Sequence, residues 1–247
     1  IRLLQALQPV DAGRHLYYAI ISVFAHYLGP SFHTVEDDAF IERLMTETPF
    51  INLVLSFYVP VMELNEAYGH HIEMMLSTSD DAEHQAFGHS LLATRALLNG
   101  DKVLAQEHFQ KIPSGDYFSI LEGRIAALDY LLNGVDTDAL GGHFSPPANQ
   151  AIFYFKAITP LLVAFDEAEL LERFIDEHDL LNITSQHWIE ECVKKQTQLA
   201  MAWILAKQGN HKESKATLGV YKNTMFPRDY QGTSTLITEA TESALQT

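Results

Sequence analysis

The sequence predicts an all-α protein built from antiparallel helix pairs. Apolar residues recur at spacings of three and four along most of the chain, and no segment shows the alternating pattern of a half-buried strand. A helix-turn-helix pattern also repeats, because the letters LLNG at residues 97–100 return at 131–134. A repeat of this length is typical of helix pairs that stack on one another, since a single pair cannot bury its own apolar face.

The helices follow one another with recognisable boundaries. The first apolar stripe runs from Leu16 to Tyr27, and the Gly-Pro pair at 29–30 ends it. Capping-box spacings open two helices, one over 34–45 and one over 80–99, with Asp80 and Glu83 as the second box. The remaining predicted helices span residues 50–68, 101–112, 116–132, 148–164, 166–178, 186–207 and 211–221. We expect the last segment, 235–245, to form a short polar helix that frays.

Composition and charge restrict the function. The 247 residues are 47% hydrophobic and 11% aromatic, which is typical of a folded chain with a sizeable core. The formal net charge of −16 repels phosphate backbones and anionic lipid, so we expect no direct contact of this chain with nucleic acid. No apolar run reaches the roughly 20 residues that a membrane helix needs, so we also expect no membrane span.

Cysteine content and the two ends of the chain bear on its compartment and completeness. Cys192 is the single cysteine, which excludes an intrachain disulfide and favours the cytoplasm, with the periplasm as the alternative. The chain opens with IRLLQAL, without a methionine or a signal-peptide pattern, so we expect a piece or a mature form of a longer protein. We interpret residues 1–247 as one helical domain and segment 141–147 as a loop within it. A hinge between two halves is the alternative.

Small and aromatic residues of the repeat follow a family pattern. The residues that carry the pattern are Leu92, Ala93, Gly100, Ala105, Phe109 and Pro113. Their order resembles the tetratricopeptide repeat, and the resemblance is best over residues 86–147. The second unit departs from the pattern at His143, where the family has a large apolar residue. The resemblance implies an α-solenoid of stacked helix pairs with an extended concave surface.

The resemblance also implies which residues line that concave surface. In the two best units they are Phe87, Ser90, Thr94, Leu97, Leu98, Leu121, Arg124, Leu128, Leu131 and Leu132. This groove is mostly apolar and carries one cation, Arg124. It suits an amphipathic helix, or an apolar peptide that bears an acidic group. The alternative is that the leucines pack against other helices of the same chain.

One polar cluster has residue types that can bind a metal. Glu66, His70 and His71 lie in the segment ELNEAYGHHIE, and Glu66 and His70 share a face if one helix continues through Gly69. The Glu-x-x-His spacing of helical two-metal sites is absent. We therefore interpret the cluster as a solvated polar face and expect no cofactor. An all-helical, metal-dependent enzyme that uses these three residues is the alternative.

The sequence contains no phosphate-binding loop, nucleophile elbow or kinase signature. We therefore expect a non-catalytic module that binds a protein or a peptide. We expect it to serve as the sensory or interaction domain of a larger bacterial regulatory protein. A scaffold that forms a homodimer through an apolar face is the alternative.

Overall fold

The computed structural model describes residues 73, 76–115, 117, 119–135, 148–184, 188–224 and 231–246. These residues contain α-helices and no strand, which confirms the predicted all-α class for this part of the chain. The helices are α1 Ala82–Leu98, α2 Lys102–Phe109, α3 Ser119–Asn133, α4 Ala148–Ala164, α5 Ala168–Glu177, α6 Trp188–Lys207, α7 His211–Thr224 and α8 Gln231–Ala244. The helices predicted before residue 73 and segment 141–147 lie outside the described residues.

The same three-residue turn joins the helices of three pairs, which we call hairpins: α1–α2, α4–α5 and α6–α7. The middle residue of each turn has a left-handed backbone, with φ +81° at Gly100, +64° at Asp166 and +80° at Gly209. The Gly100 amide and the amide that follows it donate to Leu97 O and Ala96 O at 3.0 and 2.9 Å. The other two turns repeat this pair of bonds at 2.8–3.3 Å. These bonds satisfy the last carbonyls of the first helix and fix the direction of the second.

Buried small residues occupy the same position in α1, α3, α4 and α6. Gly134 ends α3 with the same left-handed conformation. Positions in α1, α3, α4 and α6 can therefore be compared by counting back from the left-handed residue that follows each helix. Seven residues before each turn residue lies a fully buried small side chain: Ala93, Ala127, Thr159 and Ala202. In the third hairpin Ser214 Oγ, on α7, donates to Ala202 O at 2.6 Å. Because little side-chain volume separates them, the helices approach closely at this point.

Helix α1 begins one residue later than predicted. Asp81, not Asp80, is the N-cap, since its Oδ1 accepts hydrogen bonds from the amides of Glu83 and His84 at 3.0 Å each. Both acidic residues precede the same turn of helix, so the sequence pattern alone fits either. The structure assigns the cap to Asp81, which has an extended backbone with φ −86° and ψ 125° and whose side chain accepts from both amides.

The C-terminal helix is longer and more extensively packed than predicted. The helix begins earlier, at Gln231, and packs against both α4 and α6. Ile237, Thr233 and Thr241 are buried there. Thr241 Oγ1 donates to Ile237 O at 2.6 Å, so its hydroxyl is satisfied within the helix and its methyl group is free to pack. Thr241, a polar residue in the sequence, therefore packs as an apolar side chain.

The hydrophobic core cluster joins α4 and α6 to the surrounding helices. Phe155, Leu161 and Trp203 are among its fully buried side chains. α3 packs on α1 and on α4, so the helices contact one another in chain order from the first hairpin to the core. In the described ranges no helix is both long and apolar enough to cross a membrane.

Candidate functional site

The structure places the predicted groove residues in packed surroundings. Leu97, Leu128 and Leu132 belong to the core cluster, and Leu98 and Leu131 pack half-buried against it. Phe87, Ser90, Thr94, Leu121 and Arg124 are buried as well. Apolar residues are expected in such positions, whereas a buried guanidinium needs an explanation.

Ser90 and Arg124 meet across α1 and α3. Arg124 Nη1 donates to Ser90 Oγ at 3.3 Å, while Ser90 Oγ donates to Phe87 O at 2.8 Å. Each of the two lies ten residues before the left-handed residue that ends its own helix, Gly100 or Gly134. Equivalent positions of α1 and α3 therefore lie side by side.

The same alignment continues from α3 to α4. Tyr154 OH donates to Glu122 Oε2 at 3.3 Å, and each lies twelve residues before the turn residue of its helix. The Tyr154 ring lies on Gly123, where an added Cβ would be 2.3 Å from Tyr154 Cδ1. In this alignment Lys156 on α4 is the counterpart of Arg124. Ser90, Arg124 and Lys156 therefore occupy equivalent positions of three helices, and all three are buried.

The buried carboxylate of Glu73 interacts with two guanidinium groups, those of Arg95 and Arg124. Arg95 Nε lies 2.7 Å from Glu73 Oε2 and 3.0 Å from Oε1. The Glu73 side chain is 0% exposed and that of Arg95 is 24% exposed. The charge of Glu73 also acts on Arg124, whose pKa it raises. Among these three described residues, positive charge therefore exceeds negative charge by one.

Arg124 is held in a poor environment for a cation. It is 5% exposed, and burial lowers its pKa to about 10, with the charge of Glu73 as a partial offset. Its side chain has five N–H donors. Within the described residues, Ser90 Oγ is the acceptor that it reaches. A guanidinium with unfilled donors and little water can bind an anion strongly, because planar carboxylates accept two parallel hydrogen bonds from it.

The other predicted site residues do not join this cluster as ligands. Thr94 Oγ1 donates to Ser90 O at 2.8 Å, so its hydroxyl is used inside α1. Glu66, His70 and His71 lie outside the described residues. In the part of the chain that the structure describes, no three His, Cys, Asp or Glu side chains are close enough together to hold a metal ion.

Sequence reasoning placed Glu73 in the polar cluster of the segment ELNEAYGHHIE, and it missed Arg95 and Lys156. The signal for Lys156 was a single cation inside the apolar run of α4, at the position that corresponds to Arg124 once the turns are aligned. Nothing in the sequence pattern pairs Glu73 with Arg95.

Comparisons of the chain with protein-family models, with curated proteins and with solved structures find no match.

Proposed function

We propose that this chain is a non-catalytic, peptide-binding module in which Arg124 receives an acidic group of a protein or peptide ligand. The observation that carries the proposal is Arg124 itself, a 5% exposed guanidinium whose hydrogen-bond acceptor in the described residues is one hydroxyl at 3.3 Å. Such a group costs free energy in the unbound protein. A ligand carboxylate that fills its donors offsets that cost.

The arrangement of the helices supports a tetratricopeptide-like stack. Three hairpins share one turn geometry, and hydrogen bonds join equivalent positions of neighbouring first helices. Both features are expected of stacked repeats, in which the first helices line one concave surface. On this proposal α8 packs on the first helices of the second and third hairpins, α4 and α6.

The composition of the site indicates the chemistry of the ligand. Arg124 stands among apolar side chains, since Leu121 and Leu128 on its own helix are fully buried. Apolar burial supplies binding free energy of roughly 25 cal/mol per Å², and the guanidinium supplies orientation. An amphipathic helix or an apolar peptide with a carboxylate at one end fits both requirements.

Ligand binding on this proposal displaces a segment of the chain itself. Residues 73, 76 and 77 are helical and cross α1 at Gly88, where an added Cβ would lie 2.1 Å from Ser77 N. This segment holds Glu73 against Arg95. We take Glu73 to be an internal counterpart of the ligand, whose carboxylate reaches the two arginines once the segment has moved.

The proposal is tested with paired peptides that differ in one charge. Amphipathic, leucine-rich peptides are prepared as C-terminal acids and as C-terminal amides, and their binding to the full chain is followed by fluorescence anisotropy. We expect the acids to bind at least tenfold more tightly, because a charge-assisted hydrogen bond contributes about 1.5–3 kcal/mol. Arg124→Gln removes this preference. Lys207→Gln is the control, since Lys207 is an exposed cation paired with Asp166 at 2.6 Å. Equal binding of acids and amides to the wild type contradicts the proposal.

A further inference from the structure

Two histidines face each other across the first hairpin. His89 lies on α1 and His108 on α2, and their Nδ1 atoms are 3.3 Å apart. The ring centroids are separated by 5.5 Å and the ring planes are tilted by 32°. Both side chains are half-buried. In the sequence the histidines are scattered, so the pair exists only because the turn at Gly100 brings α2 back along α1.

We propose that His89 and His108 form a two-histidine site for Zn²⁺, with both Nδ1 atoms as ligands. Zinc binds histidine nitrogen at about 2.0–2.1 Å, and two ligands of a tetrahedral ion are then about 3.3–3.4 Å apart. The observed separation of the two Nδ1 atoms equals this ligand spacing. Zinc binding requires the two rings to rotate so that both Nδ1 lone pairs point at one ion.

The proton balance of this step closes within the pair. In the metal-free protein one Nδ1–H donates to the lone pair of the other Nδ1. Zinc needs a lone pair on both atoms, so the shared hydrogen transfers through solvent to Nε2 of the same ring. Both imidazoles stay neutral and no net proton is released. Water completes the coordination, because no third His, Cys, Asp or Glu joins the pair among the described residues.

The charged neighbours tune the affinity in opposite directions. Burial lowers the pKa of both histidines, and the positive charge of Lys111 lowers each of them further. Both rings are therefore neutral at pH 7, the state that binds metal. Lys111 also repels a divalent cation. Glu107, whose charge raises the pKa of His108, partly offsets that repulsion.

Zinc titration of the chelator-treated full chain by calorimetry at pH 7.5 tests the site. We expect one equivalent of zinc to bind to the wild type and to be lost in both His89→Gln and His108→Gln. His211→Gln is the matched control, since this histidine begins α7 and keeps the equivalent. Lys111→Gln should bind zinc several-fold more tightly, an effect that a purely structural histidine pair does not produce.

Because the chain has 12 histidines, the difference between wild type and variants is the quantity that counts. Unchanged stoichiometry and affinity in the double variant His89→Gln/His108→Gln overturns the proposal. If the variants fail to fold, ¹⁵N spectra of the wild-type histidines decide the question. Zinc must then shift two Nδ1 resonances together, and their failure to shift overturns the site equally.

Discussion

Arg95 and Arg124 lie near the same buried carboxylate, yet they differ in how well each is satisfied. Arg95 Nε contacts both oxygens of Glu73 within 3.0 Å and keeps part of its surface in water. Arg124 is more deeply buried and contacts a neutral hydroxyl at 3.3 Å. Arg95 is therefore paired more closely with Glu73 than Arg124 is.

The histidine pair predicts a pH dependence of stability. The pKa values of His89 and His108 are both lowered from the ordinary 6.5, and burial is the largest cause in each case. The histidines of the unfolded chain therefore take up protons at a higher pH than those of the folded chain. Their contribution to the free energy of unfolding is fully present above pH 6.5 and is lost as the pH falls through the lowered pKa values. In chelator, we expect the wild type to lose more of its melting temperature between pH 7.5 and 5.5 than His89→Gln/His108→Gln does. An equal loss in both proteins contradicts this assignment.

At the level of the helices, close approach of α3 to α4 depends on Gly123. A Cβ added there meets the buried Tyr154 ring at 2.3 Å, and this ring is also held by its hydrogen bond to Glu122. We expect Gly123→Ala to lower the free energy of unfolding by about 1–3 kcal/mol, because the ring must move. Urea denaturation measures this change.

Gly219→Ala is the control for this substitution. Gly219 lies inside α7, and no atom lies within 4 Å of a Cβ added there. Alanine in an open helical position should stabilise the protein by about 0.5–1 kcal/mol. Destabilisation by both variants to the same extent would mean that packing between α3 and α4 is not the cause.

In the described part of the chain, the helices and the turns at Gly100, Gly134 and Gly209 were predictable because they follow from local chemistry, whereas Asp166, a turn residue, was assigned to a helix. The Asn-Gly pairs at 99–100 and 133–134 mark left-handed helix ends, and the bounds of α4 agree with the prediction. What covers a helix face is not local. Periodicity shows that Leu128 is on an apolar face, but its burial depends on the neighbouring helices. The partner of Arg95 lies 22 residues away on a different segment, so no spacing rule indicates it.

The protein as a whole is strongly acidic, with a net charge of −16, while the cluster of Glu73, Arg95 and Arg124 carries excess positive charge. A buried charge costs desolvation free energy whatever the net charge of the protein, and replacing it by an apolar group is often neutral or stabilising. The proposed peptide site therefore requires that Arg124 contribute little or nothing to the stability of the unbound protein. Stability of the whole molecule can test this requirement before any ligand is identified.

The measurement is urea unfolding of the full chain with Arg124→Met, beside Arg95→Met. We expect Arg124→Met to be as stable as the wild type or more stable by about 1 kcal/mol, because replacement of a poorly paired buried charge by an apolar group is often neutral or stabilising. Arg95→Met should lose about 2–4 kcal/mol, because it removes the ion pair of the buried Glu73. If Arg124→Met loses as much as Arg95→Met, Arg124 is a structural residue and the proposed recognition site is wrong.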